Sequence, residues 1–367
     1  MIYNWANMNT QQAKMAIDQI LKTEAPRPTA PNPRGEWLQS FNKATSPASG
    51  LAGISVPPCQ PIVGKWFKQG DLGFVCGPRG LGKTWLAMLL ARKCAEGASL
   101  GGLAEWQIHG RRRVLYVDGE MSMDGIRERD GALSACAAPG MFYLQHEALF
   151  HLTGKVLNLA EPDAQGALLE KCLQDSIEIL VLDNLSCLFS GMRENDADAW
   201  EQVLPWLLDL RRHRIAVIFV AHSGRNGLMR GTSRREDAAF WIINLSELKD
   251  VAEDHRGARF VARFVKNRNA SDADCPALEW HFVRQPNDPK AHVTWKKISV
   301  PEQFRKCIED GFDTASSIAE VMGVSRGLVS RYANRAIKLG WLKRKDRNYV
   351  LASKDKAQEE INKQLDV

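Results

Sequence analysis

From about residue 55 onward, short apolar runs alternate with stretches of helical period. Leu72-Gly-Phe-Val-Cys76, Val114-Leu-Tyr-Val117, Ile177-Glu-Ile-Leu-Val-Leu182 and Ile215-Ala-Val-Ile-Phe-Val-Ala221 are close to continuously apolar. Strands read this way when both faces are buried, so these four predict an α/β domain with a mainly parallel sheet. After Trp241-Ile-Ile-Asn-Leu245 the pattern changes. Arg259 to Val265, Leu278 to Val283 and His292 to Trp295, separated by Pro, Asn and Asp clusters, predict antiparallel strands that finish the sheet. Asn9 to Leu21 has helical spacing, and the four prolines of Ala25 to Arg34 favour an extended linker.

The last part of the chain is helical. Thr314 reads as the N-cap of a helix ending at Met322, Gly323-Val-Ser325 as a tight turn, and Arg326 to Leu339 as a second helix closed by Gly340. On that helix Leu328, Tyr332, Ala336 and Leu339 are expected to face inward, leaving Arg326, Ser330, Arg331, Asn334, Arg335 and Lys338 outside. Trp341 to Leu351 reads as a basic hairpin. Boundaries follow: an N-terminal helix and Pro-rich linker at 1–50, an α/β core at 51–300, a winged helix-turn-helix at 301–353 and a polar helical tail at 354–367.

The 367 residues are 44% apolar, enough for a large core and for more than one domain. No run approaches the ~18 apolar residues of a membrane span, and no export signal opens the chain, so no membrane partner is expected. Eight cysteines stand singly with no paired spacing, which suits a reducing cytoplasm rather than a zinc or disulfide framework. The net charge of +6 is modest. Its distribution is not: Arg326 to Arg347 holds eight basic residues and one acid, Asp346.

Chemistry concentrates at strand ends. Leu72 to Cys76 runs into Gly77-Pro-Arg-Gly-Leu-Gly-Lys-Thr84 and then into a helical stretch beginning at Trp85. This G-x-x-x-x-G-K-[ST] pattern, in strand, loop, helix context, wraps the backbone of Gly77, Pro78, Arg79, Gly80, Leu81 and Gly82 around phosphates, with every residue but Pro78 offering an amide donor. Lys83 supplies charge, Thr84 holds Mg²⁺ and Trp85 opens the helix. ATP and Mg²⁺ are the cofactors this implies. Asp183, closing Ile179-Leu-Val-Leu-Asp183, is the second metal-holding candidate. Asp118 and Glu120 end another strand, and Glu120 is the candidate general base for the attacking water, or else a cap for the helix near Ser122. His222 ends the fourth strand and is placed to sense the γ-phosphate ahead of the Ser223 to Arg235 loop.

These four strand ends together resemble the RecA-like P-loop ATPase core, and within it the plasmid RepA-type hexameric replicative helicases and their relatives on mobile elements. The resemblance covers about residues 55–285. It implies a homo-oligomer, hexameric in that family, with ATP between subunits, hydrolysis through Glu120 and cations supplied by the neighbour. Arg230 resembles the family's arginine finger. Lys266 and Arg268 resemble the Lys-x-Arg pair that acts in trans in related enzymes. The other reading makes Arg230 a DNA contact and the pair a solvated strand edge. By position, the loops after Asp183 and His222 correspond to the family's single-strand DNA loops, the second carrying Arg225, Arg234 and Arg235. Arg326, Arg331, Asn334 and Arg335 on the second C-terminal helix, with Lys343, Arg344 and Lys345 in the hairpin, resemble a winged helix on duplex DNA. A winged helix used for protein contacts is the alternative.

The expected function is therefore a DNA-dependent ATPase, a RepA-like replicative helicase of a plasmid, phage or other mobile element. An ATP-switched DNA-binding regulator or recombination mediator without unwinding activity is the second reading. A P-loop kinase is disfavoured by the placement of Glu120 and His222.

Overall fold

The computed structural model describes residues 11, 33–54, 57–133, 138–192, 197–223, 233–247, 257–284, 288–322 and 324–365. The expected helix from Asn9 and most of the proline linker lie outside these residues. Two compact units emerge, Met1–Cys59 and Gln60–Val367. In the first, a helix not foreseen in the sequence spans Pro33–Ala44. Proline is tolerated in a first helical turn because the amide it lacks has no helical partner there. Glu36 near its start and Lys43 near its end both complement the helix dipole.

The second unit is built on β1 (Pro61–Val63), β2 (Phe67–Lys68), β3 (Leu72–Gly77), β4 (Val114–Asp118), β5 (Met141–Gln145), β6 (Ile179–Asp183), β7 (Ala216–His222), β8 (Trp241–Ser246), β9 (Gly257–Asn267), β10 (Ala277–Arg284), β11 (Ala291–Ile298), β12 (Leu342–Lys345) and β13 (Asn348–Leu351). Nine strands form one sheet in the order β11-β10-β9-β8-β3-β7-β6-β4-β5. The six from β8 to β5 are parallel to one another, and β9, β10 and β11 extend the sheet antiparallel. The α/β, mainly parallel expectation holds.

Period-two alternation divides the buried side chains between two cores. Val75, Ala216, Ile218 and Val220 join the core beneath the helix Lys83–Glu96. Phe74, Cys76, Val217, Phe219 and Ala221 join the one that includes Trp200 and Trp206 of the helix Ala197–Arg212. Both faces are covered, which is why the strands read as unbroken apolar runs. β5 escaped the sequence reading because it is an edge strand, paired with β4 alone and only partly buried.

Asp71, immediately before β3, is buried, accepts hydrogen bonds from the Lys68 amide (2.7 Å) and the Asn269 side chain (2.6 Å), and has its carboxyl pushed by burial up to about 6. A folded value above the ordinary 3.8 means the proton is held more tightly in the folded chain. Its stabilising effect is complete below the ordinary value and is lost as the pH rises through about 6. Asp71→Asn is expected to remove this residue's share of that slope, about 1–3 kcal/mol between pH ~4 and ~7. Denaturant midpoints of the two proteins across that range check it, and parallel curves would refute it.

At the C-terminal end, helices Val300–Glu309, Ala315–Met322 and Arg326–Lys338, the β12–β13 hairpin and the helix Lys354–Leu365 share a core of their own around Phe304, Ile318, Val329, Trp341 and Tyr349. Thr314 accepts from the Ser317 amide and Ser325 from the Leu328 amide, the capping their residue types favour. The inward face of Arg326–Lys338 is the expected one in part: Ala336 is buried and Leu328 and Tyr332 pack against the core, but Leu339 does not. Val329, Ala333 and Ala336 are buried, Leu328 and Tyr332 are half-buried, and Leu339 is exposed. The polar tail also has a packing role, through buried Ala357 and Ile361. Among the described residues no helix is long and apolar enough to cross a membrane.

Candidate functional site

The parallel strands β3, β4, β6 and β7 deliver their C-terminal ends to one edge of the sheet, where open α/β folds gather ligands. A cavity of about 450 Å³ opens there, lined by Arg79, Gly80, Gly82, Lys83, Thr84, Trp85, Asp118, Glu120, Met121, Arg129, Asp183, Asn184, Ser186, Cys187 and His222. The sequence candidates Lys83, Thr84, Glu120, Asp183 and His222 therefore meet at one place. Gly77, Pro78 and Leu81 belong to the same loop, with Leu81 packed against the core.

The loop's shape rests on Gly82, whose φ of 108° belongs to the left-handed region and whose missing Cβ would lie 2.7 Å from Ala258 and 2.8 Å from Phe260. Only glycine fits both demands. Lys83 is buried and donates to the Pro78 carbonyl at 2.7 Å. Burial lowers its pKa, while Asp183 and Glu120 act to keep it charged. An ammonium desolvated at the floor of an open cavity is prepared to meet an anion.

Asp183 is buried, and that burial pushes its carboxyl up to about 6 against the pull of hydrogen bonds from Tyr116 and Thr84. The Tyr116 hydroxyl donates to Oδ2 at 2.5 Å, fixing the carboxylate from the neighbouring strand. Asp118 has a different task. Its Oδ1 accepts from the amides of Glu120 (2.9 Å) and Met121 (2.5 Å), folding the turn that presents Glu120. Gly119 allows that turn to lie close to Leu188, which a Cβ would meet at 2.9 Å. Ser122 caps the following helix by accepting from Gly125, and the Glu120 carboxylate instead accepts a hydrogen bond from Asn184. Asn184 is buried and also accepts from the Cys187 amide at 3.0 Å, so the side chain that orients Glu120 is itself held. His222 pairs in register with Gly77, and the next amide, Ser223, donates to the Gly77 carbonyl at 3.0 Å. The strand carrying His222 is thus tied directly to the phosphate loop.

Sequence reasoning missed Tyr116, Asn184 and Arg129. Asn184 directly follows Asp183, its only local signal. Arg129 lies over the ring of Trp85 at 5.6 Å, and both line the cavity. The arrangement supplies an anion cradle, two hard oxygen donors in Thr84 and Asp183, and an oriented carboxylate. Asn184→Ala is expected to lower turnover about 10- to 100-fold without weakening nucleotide binding, because it frees Glu120 from its productive orientation. Parallel loss of binding and turnover would instead make Asn184 a scaffold residue.

Lys266 and Arg268 donate to the backbone carbonyls of Glu236 and Asp237, at the end of the helix Ser233–Ala238. Arg225, Arg230 and the side chain of Arg234 lie outside the described residues. Arg235 needs correcting as a DNA contact. It is 3% exposed with its guanidinium 5.2 Å from the Trp200 ring, because helix Ser233–Ala238 turns it into the core. Phe189, in the segment after Asp183, is buried and packs against Phe219. Arg326, Arg331, Asn334, Arg335, Lys343, Arg344 and Lys345 are all exposed, with Arg335 3.3 Å from Glu360.

A family model described as AAA domain matches residues 40–227, a span holding the phosphate loop, Glu120, Asp183 and His222. The chain belongs to this AAA domain family. It is a P-loop, nucleotide-hydrolysing ATPase built on a mainly parallel sheet. The match stops before β8, so the antiparallel strands and C-terminal helices of the ATPase lie beyond it. Among solved structures, a KaiC-like protein from the hyperthermophilic archaeon Pyrococcus horikoshii OT3 is similar at 13% identity and a TM-score of 0.45, over 65% of this chain and 100% of that one. No curated protein matches the chain in sequence.

The family implies a nucleotide and ordinarily Mg²⁺. Among the described residues no three His, Cys, Asp or Glu side chains gather to cage a metal. Mg²⁺ takes one or two protein oxygens and completes its shell with phosphate and water. Thr84 and Asp183 would hold it, and it would neutralise charge developing on the phosphates.

Proposed function

We propose that this ATPase is DNA-dependent, a RepA-like replicative helicase of a plasmid, phage or other mobile element that works in the cytoplasm. The observation that carries the reading is the convergence of Lys83, Thr84, Glu120, Asp183 and His222 on one cavity in a chain that also bears an exposed basic helix and hairpin. In this reading Lys83 and the loop amides bind the phosphates. Glu120, aimed by Asn184, takes the proton of the attacking water. His222 senses the γ-phosphate and passes its loss to the segment that follows, which contacts single-stranded DNA. The C-terminal helices and hairpin act as a winged helix on duplex DNA. ATP sits between subunits of a homo-oligomer, hexameric by analogy with the RepA-type enzymes, and Arg230, Lys266 or Arg268 of the neighbour completes the site.

One observation favours the second reading, an ATP-switched DNA-binding regulator or recombination mediator. Burial of Arg235 removes a cation from the proposed single-strand loop, whereas the basic residues of Arg326–Lys338 and the hairpin are exposed. Steady-state ATP hydrolysis with and without single-stranded DNA, at two salt concentrations, separates the two. Strong stimulation that weakens with salt supports the helicase. Slow turnover indifferent to single strands, with tight duplex binding, supports the switch and sinks the helicase.

A further inference from the structure

Strand β9 connects two parts of the molecule that the functional reading treats separately. Its mid-strand residue Arg263 is buried, and its guanidinium donates to the Met322 carbonyl (2.5 Å), the Ser246 hydroxyl (3.3 Å) and the Gln303 side chain. Met322 ends the helix Ala315–Met322, where carbonyls lack helical partners, and Gln303 stands on Val300–Glu309. One side chain of the ATPase sheet thereby fastens two helices of the C-terminal region. Among the described residues no carboxylate pairs with it. Burial draws its pKa down to about 10. An apolar residue would pack the same junction without that desolvation; what the guanidinium adds is direction, a planar fork of donors that fits one arrangement of the two helices.

The other end of β9 reaches toward the nucleotide machinery. Lys266 and Arg268 hold the last carbonyls of Ser233–Ala238, the helix that follows the segment after His222. Strict alternation would put residues 263 and 266 on opposite faces of the sheet. The pairing with β8 steps from Ile243↔Phe264 to Ile242↔Lys266, so Val265 is an extra, bulged residue. The bulge brings Lys266 to the face that Arg263 already occupies. Lys266 on that face, with Arg268 just past the strand's end, thus grips the helix beyond His222, and Arg263 grips the C-terminal helices.

We propose that Arg263 is a positioning residue through which the nucleotide state of the ATPase sets the placement of the basic C-terminal helices. The proposal rests on the ATPase reading and adds a route for its regulation. A shift of Ser233–Ala238 on loss of the γ-phosphate pulls on Lys266 and Arg268, and β9 carries it to Arg263.

Amide hydrogen exchange in Ala315–Met322 and Arg326–Lys338 tests this on the full chain, comparing ADP with a non-hydrolysable ATP analogue and measuring binding of both separately. Exchange in wild type is expected to differ about 5-fold or more between the two states. Arg263→Met is expected to erase the difference while both nucleotides still bind, and Arg263→Lys to restore part of it. A purely structural role would instead raise exchange equally in both states and leave the difference, which overturns the proposal. So does a wild type that binds both nucleotides yet shows no difference. Failure to bind nucleotide at all would overturn the ATPase reading itself, and this proposal with it. Should Arg263→Met not fold, Gln303→Ala, at a half-buried helix position, removes one acceptor and is expected to shrink the difference; an unchanged difference refutes the proposal.

Discussion

Glu120→Gln is expected to lower ATP turnover by about 10²- to 10⁴-fold while nucleotide binding survives. The glutamine keeps the shape of the side chain and still accepts the hydrogen bond of Asn184, so the turn built on Asp118 stays in place. What it loses is basicity, needed only when water attacks. The consequence is a split: an unchanged dissociation constant for ATP, measured at equilibrium, beside a single-turnover rate that collapses. A joint fall in affinity and rate would mean that Glu120 shapes the cavity and that another group takes the proton.

Lys83→Met is expected to fail at the earlier step, losing about 10²- to 10³-fold in kcat/KM, the scale seen when one donor to a developing charge is removed. The apolar stem of methionine fills much of the space of the buried lysine, so folding should be preserved. Lys83 is held by the Pro78 carbonyl at 2.7 Å, and burial already lowers its pKa, leaving an ammonium with little water to solvate it. Bound phosphates supply the missing counter-charge. Titration calorimetry with ATP should show binding weakened together with kcat/KM, and a thermal midpoint near that of wild type would separate this loss from unfolding. Wild-type affinity in Lys83→Met would refute the phosphate-contact role.

The two variants probe different parts of one cavity, and their outcomes separate from that of Asn184→Ala. Methionine at 83 removes an attraction made in both the bound and reacting states, glutamine at 120 removes one made only on reaction, and alanine at 184 leaves both groups present but one of them loose.

How far the sequence reached can be followed residue by residue. The strands β3, β4, β6 and β7 were legible because burial on both faces writes an unbroken apolar run, a local pattern. The phosphate loop was legible because close backbone approach needs glycine at fixed spacing, as Gly82 illustrates against Ala258 and Phe260. Thr314 and Ser325 were legible as caps because their hydroxyls serve amides three residues away. In each case the partner lies within a few residues along the chain.

Tertiary structure alone decided the rest. Asn184 meets Glu120 across 64 positions of sequence, and Tyr116 meets Asp183 across 67. Both meetings depend on which strands are neighbours in the sheet, which no local period encodes. Arg235 sits in a run of charge that reads as surface, yet one helix turn carries it over Trp200. Val329 and Ala333 fill the buried face of Arg326–Lys338, while Leu328 stays half-buried against the core and Leu339, just past the helix, is exposed. A single bulged residue, Val265, decided which face of β9 holds Lys266. The sequence alone determined an α/β nucleotide-binding core with its phosphate loop and strand-end acids, since those follow from short-range periodicity and backbone chemistry. Strand order, register and packing, which arise only when distant segments meet, determined what orients the acids and what fastens the basic helices to the sheet.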